Sequence, residues 1–220
     1  MFDVNIFNEL KTKGYYTFEL SNIDELNLLD KIHTICSNIK HTTAVHTGAY
    51  DNYSKDVEFE TLEKLKEAAK ISNAWQFWYQ SNDLQNYLSF KEQSFIKEII
   101  NNILNKCYPS HLINKKEDGT RNPSITMFNQ KCYINPHVDG SNNLKLCNIL
   151  IYLNKDWKEG FGGELIVNNT KVSPTFAKVA VLDFKHVNPE HSVSELLDSN
   201  FKRYALITGV NCDISKIEYL

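Results

Sequence analysis

The chain has 220 residues, 42% of them hydrophobic and 23% charged, with a formal net charge of −3. That mixture is globular and excludes a disordered or fibrous chain, and at this length folding needs neither disulfides nor a structural metal. The charge offers no bulk attraction to nucleic acid or to an anionic membrane, so neither is an expected partner.

In chain order, the opening Met1-Phe2-Asp3-Val4-Asn5 lacks the basic and apolar regions of a secretory signal. No run reaches the roughly 18 apolar residues a membrane span requires, and a cytoplasmic location is expected. The five cysteines, Cys36, Cys107, Cys132, Cys147 and Cys212, form no C-x-x-C pair and read as reduced, mostly buried thiols. The first half reads helical. Ser21 precedes Ile23, Leu26, Leu29, Ile32, Ile35 and Ile39 at helical spacing, with Asp24 and Glu25 in the first turn. A second helix is expected over Glu60–Lys70 and a third over Phe90–Cys107, where Phe95, Ile99, Ile103 and Cys107 share a face. Between these two, the aromatic run Trp75–Tyr79 reads as core packing, or alternatively as a pocket wall.

After the polar stretch Asn114–Thr120 the pattern changes to short β-rich segments: Ile125–Ile134, Cys147–Leu153, Glu164–Val167, Lys178–Phe184 and Tyr204–Val210. Turn residues divide them at Asp139–Asn142, Gly160–Gly163 and Asn168-Asn169. Many short strands with such punctuation suggest a sandwich or jelly roll. The expectation is a single α+β domain over 1–220, with residues 1–120 a mainly helical flank packed on one sheet of a jelly-roll core at 121–213.

The chemistry concentrates in that core. In a strand, residues i and i+2 share a face, so His137 and Asp139 converge while Val138 turns away, and a turn follows at once. His191 supplies a second imidazole downstream; His186 competes for that place but follows the preceding strand too closely. Two imidazoles and one carboxylate suit non-haem Fe(II), and zinc hydrolases use the same set, so the ligands alone leave both open. His33, His41, His46 and His111 read as surface or satisfied core residues. Positive charge is almost all lysine, the only arginines being Arg121 and Arg203. Arg121 lacks a motif and reads as a loop residue. Arg203 opens an apolar strand twelve residues beyond His191, where a guanidinium is costly to bury unless a carboxylate meets it.

These residues stand in a pattern that resembles the Fe(II)/2-oxoglutarate-dependent oxygenases, in particular the prolyl-4-hydroxylase-like branch. The pattern is Tyr133-Ile134-Asn135-Pro136-His137-Val138-Asp139, Ile151-Tyr152-Leu153-Asn154 with Trp157, Gly162-Gly163-Glu164-Leu165, Val181-Leu182-Asp183-Phe184, His191-Ser192-Val193 and Arg203-Tyr204-Ala205-Leu206. The resemblance implies a double-stranded β-helix, iron held by His137, Asp139 and His191, and the distal carboxylate of 2-oxoglutarate held by Arg203. Gly162-Gly163 would make a tight turn. It further implies O2 as co-reactant, ascorbate as an accessory reductant, and hydroxylation of an unactivated C–H bond, the expected targets being an amino-acid side chain, free or in a peptide, or another small molecule. Asp139 stands where related halogenases carry a small residue, which favours an oxygenase. Phe128 replaces a tyrosine common in relatives, so Tyr133 and Asn148 are the candidates for that cosubstrate contact; a glycine common before the H-x-D is absent, with Lys131 near its place. Two other readings stay open: a non-catalytic jelly-roll binding module, and a zinc hydrolase or cupin-type enzyme using the same three ligands. Substrate selection is expected in Gly48–Tyr53, Trp75–Tyr79 and Ser141–Lys145, and the oligomeric state is not encoded in any motif.

Overall fold

The structure, a computed structural model, describes residues 1–38, 42–47, 74–81, 84–113, 123–139 and 145–211. The expected helix at 60–70, the stretch at 114–120, Gly48–Tyr53, residues 140–144, His41, Arg121 and Cys212 lie outside the described residues.

Helix α1 (Val4–Lys13) is capped by Asp3, whose carboxylate accepts from the Asn5 and Ile6 amides, and it ends at Gly14. Strand β1 (Tyr15–Glu19) follows, then α2 (Ile23–Cys36). The cap of α2 is Asn22, the residue after Ser21, its amide oxygen accepting from the Asp24 and Glu25 amides. Strands β2 (Thr42–Thr47) and β3 (Ala74–Ser81), the short α3 (Leu84–Tyr87) and the long α4 (Phe90–Cys107) complete this half. The bounds of α4 match the sequence expectation, and Ser89 with Glu92 forms a reciprocal capping box. The mainly helical first half also carries three strands the sequence reading did not mark, β1, β2 and β3, and the aromatic run at 75–79 is on β3. Those aromatics are β-formers, so the run is better suited to a pleated sheet than to a helix.

The second half is β4 (Ser124–Phe128), β5 (Ile134–His137), β6 (Lys145–Tyr152), β7 (Leu165–Val167), β8 (Thr170–Val172), β9 (Lys178–Asp183), β10 (His191–Val193) and β11 (Arg203–Asn211). The expected single segment Ile125–Ile134 is two strands, because the chain turns at Asn129–Cys132 with Lys131 at φ 69°. Pairing runs β1-β9-β6-β11-β4-β3-β5-β10-β7-β8, with β2 also on β3. The two ends of this order fold over each other. Asp139, after β5, meets Lys145 and Asn148 of β6, and Arg203 of β11 meets Gly163 before β7, although neither pair of strands is hydrogen-bonded.

Strand alternation sorts the side chains. Cys147, Ile149 and Ile151 of β6, Val179 and Val181 of β9, and Tyr204, Leu206 and Val210 of β11 pack with Leu29, Ile32, Ile99, Ile103 and Leu104 of the helices. Their neighbours Leu150, Tyr152, Ala180, Leu182 and Ala205 turn to the inside of the roll. Each fully buried aliphatic side chain of the helix layer contributes about 1.5–3 kcal/mol. Cys36, Cys107, Cys132 and Cys147 are buried and unbridged, and burial pushes the Cys36 and Cys107 thiols up to about 12. Among the described residues no helix is long and apolar enough to cross a membrane.

Candidate active site

The site has two ends, both inside the roll. At one, His137 is the last residue of β5 and lies directly opposite His191 in the β5–β10 register, with ring centroids 4.3 Å apart. Asp139 follows two residues on, its Oδ1 3.6 Å from His137 Nε2. One ligand atom from each of His137, Asp139 and His191 lies within 4.8 Å of the others, the only such group among the described residues. Each Nδ1 sits against a backbone carbonyl two residues earlier: Asn135 at 2.9 Å for His137, Pro189 at 3.0 Å for His191. A carbonyl only accepts, so Nδ1 carries the proton and Nε2 is the nitrogen each ring can offer a cation. His186, the competing candidate, instead bonds Asp183.

The Asp139 carboxylate is divided between neighbours. Lys145 Nζ donates to Oδ2 at 2.6 Å and Asn148 Nδ2 to the same oxygen at 3.3 Å, leaving Oδ1 toward the imidazoles. Burial opposes its charge, but the neighbouring His137 ring and the Lys145 ammonium outweigh that and hold it well below the usual carboxylate range. Burial, reinforced by His137, pushes His191 down to about 4, so it stays neutral and able to ligate at physiological pH.

At the other end Arg203 is buried, its side chain entering the roll beside its cross-strand partner Phe128. The guanidinium carbon stands 4.8 Å from the Phe128 ring centroid and 5.1 Å from that of Tyr152. Nε donates to the Gly163 carbonyl at 2.7 Å. Gly162 and Gly163 have φ of 76° and 77°, and a Cβ on Gly163 would stand 2.9 Å from Arg203 Cδ, so the expected glycine turn also makes room for the arginine. Trp157 closes this loop by donating to the Gly162 carbonyl at 2.9 Å.

Two buried polar atoms here have no partner: Arg203 Nη2 and the Tyr152 hydroxyl. Burial lowers the guanidinium's pKa and raises the phenol's. A half-satisfied guanidinium beside an unpaired hydroxyl is costly as it stands and fits a carboxylate, which accepts from both. Tyr152 was not among the sequence candidates. Strand parity could have found it, since Asn148, Leu150 and Tyr152 share the inner face of β6. Phe128 is a stacking platform for the guanidinium in place of a tyrosine hydroxyl. Of the two candidates for the missing contact, Asn148 meets Asp139, and Tyr133 is half-buried near Glu195, with burial raising its phenol.

Residues 123–209 match the sequence profile of the 2OG-Fe(II) oxygenase superfamily. No curated protein sequence matches the chain. Among solved structures, it is similar to a Trichoplax adhaerens prolyl hydroxylase in complex with a hypoxia-inducible-factor peptide fragment, at 14% identity and TM-score 0.61, covering 98% of this chain and 91% of that one. A Pseudomonas putida prolyl-4-hydroxylase aligns at 12% identity and TM-score 0.60, covering 94% and 98%. The viral collagen prolyl hydroxylase of Paramecium Bursaria Chlorella virus-1 aligns at 14% and 0.53, covering 91% and 97%. These likenesses establish the double-stranded β-helix with its helical flank. By the profile match residues 123–209 are similar to the 2OG-Fe(II) oxygenase superfamily, and the chain has the fold of the prolyl hydroxylase structures.

Proposed function

We propose that this enzyme hydroxylates an amino-acid side chain within a peptide, with Fe(II) held by His137, Asp139 and His191 and the far carboxylate of 2-oxoglutarate held by Arg203 and Tyr152. The observation that carries the reading is the pairing of a two-histidine, one-carboxylate cluster with a buried, half-satisfied arginine in the same roll. Neither a zinc hydrolase nor a binding module has use for both. With iron bound, the site supplies O2 activation coupled to decarboxylation of 2-oxoglutarate to succinate.

The residues of this chain do the rest. Arg203 fixes one end of the cosubstrate, so its other end reaches the cluster already oriented. Lys145 and Asn148 hold one oxygen of Asp139 and would leave the other for the cation. The apolar inner face formed by Leu150, Leu182 and Ala205 excludes water between the two ends. A peptide substrate is supported by the prolyl hydroxylase neighbours, one of which is complexed with a peptide. The helical flank and the roll share one core, in keeping with a single working domain over 1–220. The buried thiols suit a reducing, cytoplasmic setting, with ascorbate as the accessory reductant.

The test is an anaerobic titration with Fe(II) and 2-oxoglutarate, followed by succinate release over a panel of peptides and free amino acids. A weak visible charge-transfer band and peptide-dependent succinate are expected. Asp139→Ala is expected to lower succinate formation by at least about 100-fold, since removing a ligand exceeds the outer-shell losses known for metal sites. Wild-type turnover in that variant overturns the ligand assignment.

A further inference from the structure

A second ionisable cluster sits behind the metal cluster. Asp183, the last residue of β9, is fully buried, a costly position for a carboxylate unless donors surround it. Donors do surround it. Oδ1 accepts from the His186 amide at 2.6 Å, Oδ2 from the Tyr108 hydroxyl at 3.0 Å, and the His186 ring Nδ1 lies 2.9 Å from Oδ2. The Asp183 carbonyl accepts from the Asn188 amide at 3.1 Å, and its own amide donates to the Gly14 carbonyl at 2.8 Å. Phe7 of α1 closes over the His186 ring edge to face at 5.5 Å.

The segment so gathered, 184–190, leads straight into His191. Within it Asn188 holds a left-handed φ of 47° and reaches back, donating from Nδ2 to the Asp139 carbonyl at 2.9 Å. One loop therefore carries the third candidate ligand and grips the backbone of the second. At its start the loop is anchored by a carboxylate that bonds neither candidate ligand, and the Leu146 carbonyl and Asn168 amide hold the Phe184 amide and Glu190 carbonyl.

We propose that Asp183 is a positioning residue for the metal centre, fixing the 184–190 loop so that Asn188 clamps Asp139 and His191 stands opposite His137. The inference rests on the metal reading given above and goes beyond it by naming what pre-forms the ligand geometry. Asp183→Asn keeps the shape but puts a donor where an acceptor is required, so the loop loses one of its anchors. Asn188→Ala removes the clamp and leaves the anchor.

The experiment is a Co(II) absorption titration of the full chain, with thermal melting recorded in parallel, for wild type, Asp183→Asn, Asn188→Ala, the double variant and Ile99→Val. The last thins the helix layer and serves as a destabilised comparator. Asp183→Asn and Asn188→Ala are each expected to weaken Co(II) binding by about 10-fold, as outer-shell partners do. The double variant is expected to bind no worse than Asp183→Asn alone, because both act along one path. Ile99→Val is expected to bind Co(II) as wild type does. A folded Asp183→Asn protein with a lower melting temperature and wild-type Co(II) affinity overturns the proposal. Should that variant fail to fold, unchanged affinity in Asn188→Ala overturns it instead. A wild-type chain that does not bind Co(II) overturns the metal reading itself, a result distinguishable from the other two.

Discussion

The two faces of β11 divide the work of the molecule. Tyr204, Leu206 and Val210 pack against the helices, while Arg203, Ala205 and Ile207 face the inside of the roll. The outer face is apolar and densely filled, and its worth is measured in stability. On the inner face the largest side chain is a buried guanidinium with one nitrogen unpartnered, which contributes little to stability. Adjacent residues of one strand thus answer to different demands. A substitution on either face should move one measurement and leave the other.

The largest effect expected is on the outer face. Leu206→Ala should cost about 2–5 kcal/mol of unfolding free energy, read from chemical denaturation, with the 2-oxoglutarate KM unchanged. A changed KM would show that the faces are coupled. On the inner face, Arg203→Met should raise the 2-oxoglutarate KM by about 30-fold or more, the loss expected when one member of a buried charged pair is removed. Its unfolding free energy should stay within about 1 kcal/mol of wild type, because the guanidinium is not fully satisfied in the fold. An unchanged cosubstrate titration would remove Arg203 from the site. Tyr152→Phe sharpens the same contrast. Its hydroxyl bonds nothing in the fold, so stability should hold while the 2-oxoglutarate KM rises about 5- to 10-fold. Smallest is Ser89→Ala, which breaks the α4 capping box far from either end of the site. It should cost about 1 kcal/mol and leave succinate production per folded molecule untouched.

The contrast also explains what could be read in advance. His137, Asp139, His191 and Arg203 stood out because their chemistry is expensive in an apolar setting, and the structure gathers all four into one roll. The α4 helix could be read to its bounds because its capping residue and apolar spacing agree. What stayed hidden depended on partners distant in sequence. The aromatics of Ala74–Ser81 favour a strand, but its partners, β2, β4 and β5, are marked by nothing local. Tyr152 sits in an apolar strand like any buried aromatic; only its nearness to Arg203, 51 positions later, gives its hydroxyl a purpose. Asp183 was visible as one residue of a motif, but its role depends on Tyr108 and on the fold of the loop after it.

The place of β11 in the sheet has a consequence for the order in which the protein is made. It is the last strand described along the chain, yet it lies in the interior of the pairing order, hydrogen-bonded to β6 on one side and β4 on the other. A nascent polypeptide that has released every earlier strand still has a slot in its sheet and lacks the buried guanidinium of Arg203. The exposed edges of β4 and β6 are then open to wrong pairing, the hazard that accompanies long-range β topology during synthesis. Insertion of β11 closes that slot and seats Arg203 inside the roll in one event, so the proposed cosubstrate end is completed as vulnerability to misassembly ends.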